Sequence, residues 1–237
     1  MILISLLAGF IAYAIADEIS KEIKEKAGDY SFESVTGNSS EDFQQVIGSF
    51  FSALVMVFGM SLSFKLIPPM GTNDYYALLL NFAIFAFLFT SIALAWIDLK
   101  TLILPSALIY SGGGITLAIL LSAVAVSGNW ALLISMVFHG AAWFILYGLI
   151  WFWAPQGLGF GDVRLSFFIG AFLGFLNPAA SVIGFIFAWI LPAVVQMTMT
   201  GFGKIESNKP FPLGPWMLLA GFIGLYTAMP IVNSIVG

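Results

Sequence analysis

Two aspartates carry the chemistry that this sequence offers. Asp98 sits in AWIDLKTLILPSAL and Asp162 in GLGFGDVRL, and they are the only acidic residues between Asp74 and Glu206. Each has a plain explanation. Asp98 fits a charge marking the end of an apolar helix, and Asp162 fits a helix N-cap, where its charge suits the positive end of the helix dipole. Together they ask for more, because ionisable residues close to hydrocarbon are costly and usually face a wet cavity. Two carboxylates held close cannot both ionise easily, so one keeps a proton. A pair in that state titrates as a unit, and it can draw a proton from water while polarising a carbonyl.

The elements that must position them are read from the charges. The chain has 237 residues, 60% hydrophobic and 8% charged, against roughly 25% charged in soluble domains. A fold so poor in charge could not cover a water-facing surface, so an integral membrane protein is expected. The absence of cysteine excludes disulfides and thiolate metal sites, and with one histidine no metal site is expected. A net charge of −4 without a basic patch gives no expectation of a nucleic-acid partner.

A spanning helix needs about 20 mostly apolar residues. The gaps between charges predict an all-α, polytopic membrane helix bundle of eight spans. They are residues 1–16, 43–64, 75–97, two within 101–161 that turn at Ser127-Gly128-Asn129, two within 165–203 hinged at Asn177-Pro178, and 210–237. The first is read as a retained span, lacking the basic start of a signal peptide. The sixth is expected to be short. Residues 17–46 form a cytoplasmic loop, beginning as a helix extension. Residues 1–74 are read as an N-terminal pair of spans and residues 75–237 as a six-helix core. Alternating spans put seven of the eight Lys and Arg residues on one face, which the positive-inside rule makes cytoplasmic. Asp98 and Asp162 then lie at that cytoplasmic edge of the cell inner (plasma) membrane.

Gly157, Gly159 and Gly161 lack Cβ, so their backbone is expected to take unusual φ values and let an extended peptide approach. A phosphate-binding loop is a poorer fit, because the spacing is not G-x-G-x-x-G and no Lys-Ser/Thr pair follows. His139, in SMVFHGAAWF, is read as a neutral histidine bonded to a neighbouring helix. Gly112 to Gly114 and the pair Gly170/Gly174 are read as close helix packing. Lys100 and Arg164, each two residues past an aspartate, are read as topology markers with possible electrostatic support for the pair. The tryptophans near span ends fit interfacial belts.

GFGD, residues 159–162, matches the GxGD signature of membrane aspartyl proteases, and the layout resembles the type IV prepilin peptidase family. IDLKTLILP, residues 97–105, is similar to that family's first aspartate with its downstream proline. GFGDVRLSFFIGAFLG, residues 159–174, is similar to its second aspartate with a following basic residue and apolar helix. KPFPLGPW, residues 209–216, is similar to the turn before the last span. The resemblance implies that Asp98 and Asp162 are catalytic, with Gly159, Phe160 and Gly161 shaping the substrate's approach. It further implies cleavage of a short basic leader from pilin-like membrane precursors. Bifunctional relatives also N-methylate the new terminus, using a larger cytoplasmic domain with a four-cysteine metal site. The equivalent loop here has about 30 residues and no cysteine. No cofactor is expected, S-adenosylmethionine entering only if methyl transfer is retained. An ion- or proton-coupled transporter using the same aspartates is the alternative reading, although both lie at an edge rather than the midplane and no inverted repeat is visible.

Overall fold

The computed structural model describes residues 2–27, 52, 74–154, 157–201 and 211–236. Within them the chain is all-helical. The helices are α1 (Ile2–Ala27), α2 (Asp74–Thr101), α3 (Ser106–Ser127), α4 (Trp130–Trp153), α5 (Phe160–Leu176), α6 (Pro178–Gly201) and α7 (Gly214–Val236). Five of these, α1 to α4 and α6, are long and apolar enough to cross a membrane. The chain is a multi-pass membrane protein, for which eight spans is an approximate count. The span expected over 43–64 lies outside the described residues, apart from the helical Ser52.

Local chemistry explains the breaks. After α3, Gly128 takes φ +65, a left-handed conformation that costs glycine little. Asn129 then caps α4, its Oδ1 accepting from the Ala131 N–H at 3.2 Å. Between α5 and α6, the Asn177 side chain accepts from the Ala179 N–H at 2.8 Å, and Pro178 opens α6, where its missing N–H is harmless. At 17 residues, α5 rises about 25 Å, short of a full hydrocarbon core.

The chain divides into two compact units, residues Met1–Ile119 and Leu120–Gly237. In the first, α1 packs along α2. Ala16, Ala93 and Ile97 form a buried centre flanked by Ile19, Ile23, Trp96 and Leu108, and Tyr13 meets Trp96 with ring centroids 4.8 Å apart. The start of α3 approaches α2 closely, since a Cβ on Gly112 would collide with Thr90, whereas one on Gly114 would meet nothing within 4 Å. Close packing therefore belongs to Gly112.

In the second unit, α4 and α5 form a glycine-lined hairpin. A Cβ on Gly140 would stand 3.0 Å from the Ala171 Cβ, and one on Gly170 2.6 Å from Trp143. Gly174 faces His139 in the same way, a Cβ there standing 2.5 Å from the His139 Cβ. His139 itself bonds within its own helix, Nδ1 to the Ser135 carbonyl at 2.8 Å. The bond to the neighbouring helix comes instead from Ser135, whose hydroxyl donates to the Gly174 carbonyl at 2.6 Å. The turn spacing of Ser135 and His139 makes the local carbonyl the nearer acceptor. Helices α6 and α7 cross closely too, with a Gly224 Cβ meeting the Gly184 backbone at 2.9 Å.

Candidate active site

Asp98 lies in the last turn of α2 and is buried, 4% exposed. The helix ends just beyond it. The Asp98 carbonyl accepts from the Leu102 N–H at 2.9 Å, and Leu102 takes φ +54, a left-handed conformation that is uncommon for a branched side chain. Thr101 ties the turn, donating its hydroxyl to the Ile97 carbonyl at 2.8 Å and accepting from the Ile103 N–H at 3.3 Å. Pro105 then leads into α3, its carbonyl accepting from the N–H groups of Leu108 and Ile109 at 3.1 Å each.

Lys100 has a partner that the sequence did not reveal. Its Nζ donates to Asp17 Oδ1 at 2.6 Å and lies 5.3 Å from the Trp96 ring centroid. Lys21 reaches the other oxygen of Asp17 at 2.9 Å. Asp17 is 5% exposed, although its place at the end of the first apolar run suggested a solvated loop. The helix extension expected there is present, since α1 continues to Ala27. The Asp17–Lys21 spacing of four residues was readable as a helical ion pair. The Lys100 partner, 83 residues away, was not. Lys100→Ala should lower the unfolding free energy by about 1.5–3 kcal/mol, the worth of a hydrogen bond to a charged group. Thermal unfolding in detergent checks this, and an unchanged midpoint would count against the clamp.

Asp162 lies in the first turn of α5 and is 7% exposed. It is not the N-cap itself. That position is Gly159, whose N–H donates back to Asp162 Oδ2 at 3.2 Å, the returning half of a capping box. The other oxygen, Oδ1, is buried and makes no hydrogen bond. One oxygen of Asp162 thus holds the helix start, and the other is uncommitted.

Gly159 acts through space rather than through φ. Gly159 has φ −72 and ψ 143, values open to any residue, and Gly128 is the only glycine with positive φ among the described residues. A Cβ on Gly159, however, would stand 3.1 Å from Asp162 Oδ2. Glycine gives the carboxylate room to fold back over it. Gly159→Ala should therefore push the carboxylate aside by a few tenths of an ångström and lower kcat several-fold, less than the roughly 100-fold that about 1 Å of misplacement costs. An alanine variant with near wild-type turnover would show that the carboxylate tolerates the methyl.

Phe160 opens α5 and is half-exposed, its ring 5.0 Å from Trp151. The Arg164 guanidinium lies over it, 4.6 Å from the centroid, a cation–π contact. Asp98 and Lys100 belong to the first unit, and Gly159, Phe160, Gly161, Asp162 and Arg164 to the second. Among the described residues no three His, Cys, Asp or Glu side chains group to hold a metal.

Sequence reasoning passed over Tyr147, which lies on α4, is 1% exposed and has a hydroxyl without a hydrogen-bond partner. Nothing in the local sequence sets it apart from the many other aromatic residues of the chain. Its burial between rings of α4 and α6 is a tertiary fact with no local signature.

Residues 82–197 match the model of the type IV leader peptidase family, a stretch that includes both Asp98 and Asp162. The prepilin leader peptidase/N-methyltransferase of Pectobacterium carotovorum subsp. carotovorum is 31% identical over 134 residues, 56% of this chain and 47% of that protein. A protein of the same description from Aeromonas hydrophila is 26% identical over 178 residues, covering 73% and 55% of the two chains. One from Burkholderia pseudomallei (strain 1026b) is 27% identical over 146 residues, covering 59% and 44%. The chain spans about half the length of the curated relatives it matches. No solved structure matches it. Two aspartates near helix ends, the second behind GxG, lie within the matched stretch, over which the chain is similar to the type IV leader peptidase family.

Proposed function

We propose that this chain is a membrane aspartyl endopeptidase that removes the short basic leader from type IV prepilin or pseudopilin-like precursors. The observation that carries the reading is the Asp162 carboxyl, buried in the family-matched segment with Oδ2 held by the Gly159 N–H and Oδ1 uncommitted. Asp98, a second buried carboxyl near a helix end, is its partner in the reaction. One aspartate, ionised, takes a proton from water as the water oxygen bonds to the scissile carbonyl carbon. The other, protonated, gives its proton to the carbonyl oxygen. The tetrahedral intermediate then collapses: the C–N bond breaks, the leaving amine takes the proton from the first aspartate, and a hydroxyl of the intermediate returns its proton to the second as the C=O bond re-forms.

The positive-inside bias supports a site at the cytoplasmic edge of the inner membrane, residues 75–237 forming the peptidase core. A precursor whose basic leader stays in the cytosol while its apolar helix stays in the bilayer would present its cleavage point there. Gly159, Phe160 and Gly161 border the substrate's approach. Lys100 and Arg164 are basic groups near the two aspartates in sequence. The relatives' descriptions also name an N-methyltransferase. The proposal covers the peptidase step alone, for which the two aspartates and water suffice.

The test is to incubate the purified chain with a prepilin-type precursor and follow leader release by mass spectrometry, beside Asp98→Asn and Asp162→Asn. Wild type should release the leader and neither variant should. Equal release by the variants, or none by any version across several precursors, would favour a carrier using the same carboxylates.

A further inference from the structure

Tyr147 is a buried phenol that the two-aspartate mechanism does not use. Its ring is gripped from three sides. Trp143 lies 6.1 Å away at 9°, Phe185 6.0 Å away at 88°, and Trp189 4.8 Å away at 30°. Trp143 is itself anchored, its Nε1 donating to the Ser181 hydroxyl at 3.0 Å. The ring is therefore fixed in plane and depth. A phenylalanine would fill the same box without burying a hydroxyl that has no partner, and an unpaired buried polar group costs free energy.

The same unit holds a second buried polar atom in that condition, Asp162 Oδ1. The two lie on the paired helices of the α4/α5 hairpin, where Gly148, next to Tyr147, faces Val163, next to Asp162, at 3.8 Å from its would-be Cβ. Tyr147 is within electrostatic reach of the Asp162 carboxyl. Neither atom bonds the other, and a single water between two such atoms would satisfy both.

We propose that Tyr147 is a catalytic residue of the peptidase reaction, its hydroxyl oxygen and Asp162 Oδ1 together holding the attacking water. The proposal rests on the peptidase reading above. The water directs one hydrogen to Oδ1 and the other to the phenol oxygen, which leaves a lone pair for the scissile carbonyl carbon. Asp162 then serves as the ionised member of the pair and receives the water's proton, while Asp98 supplies the proton for the carbonyl oxygen. Tyr147 keeps its own proton throughout, so it orients the nucleophile without entering the proton balance. The glycine seam matters here because it fixes the register of α4 on α5, and with it the gap the water spans.

Tyr147→Phe tests this on a prepilin-type precursor, with kcat and KM measured separately. The expected result is a kcat about 100-fold lower with KM within about twofold and an unfolding midpoint no lower than wild type. A purely packing role would leave kcat untouched, since the ring is kept. Turnover within about threefold of wild type, with Asp162→Asn inactive on the same precursor, would overturn the role of Tyr147 and leave the peptidase reading standing. No cleavage by the wild-type chain would overturn both.

Discussion

Asp162→Asn should lower kcat by about 10²–10⁴-fold, the span of a lost general acid–base group, while the fold survives. Asparagine has the same shape, and its carbonyl oxygen can still accept from the Gly159 N–H that now reaches Oδ2 at 3.2 Å. The dipole interaction of a negative charge in the first turn is lost, worth about 0.3–1 kcal/mol. Against that, a neutral amide is cheaper to bury than an ionised carboxylate. Stability should therefore change little, whereas the amide cannot take a proton from water. A large kcat loss with an unchanged unfolding midpoint is the signature expected. Unfolding of the variant would instead mark Asp162 as a cap and nothing more.

Gly170→Val should act through the hairpin. A Cβ at residue 170 would stand 2.6 Å from the Trp143 ring and 2.7 Å from the His139 carbonyl. Neither neighbour can yield cheaply. The carbonyl is helix backbone, and Trp143 is tied to Ser181 and stacked on Tyr147. The helices must separate, at about 1–3 kcal/mol for an overpacked core position. Separation also shifts α4 against α5, so turnover should fall with stability. Gly114→Val is the control, because a Cβ there meets nothing within 4 Å. Thermal unfolding and leader release on both variants check the pair. Equal tolerance of the two substitutions would mean that the hairpin is looser than its geometry implies.

What the sequence disclosed was governed by range. Breaks built from local chemistry were legible, since Gly128 turns where only glycine turns easily and Asn177-Pro178 both stops one helix and starts the next. The shortness of α5 followed from the spacing between Arg164 and that hinge. The segment 159–162 was legible as a motif, and its family followed. Its mechanics were not, because glycine has two uses and sequence does not tell them apart. At Gly159 the use is room for a carboxylate rather than an unusual φ. Long-range contacts were beyond reach. Lys100 looked like a topology marker near Asp98, and only the folded α1–α2 pair reveals Asp17 as its partner. Tyr147 was hidden for the same reason, as its rings come from two helices.

The central claim is that Asp98 and Asp162 act as one catalytic unit. The most direct test compares leader release by Asp98→Asn, Asp162→Asn and the double variant, each normalised to folded protein. Groups that work as a unit are non-additive, so the double variant should be no slower than the worse single variant. Losses that multiply across the two positions, or a single variant that cleaves at the wild-type rate, would contradict it.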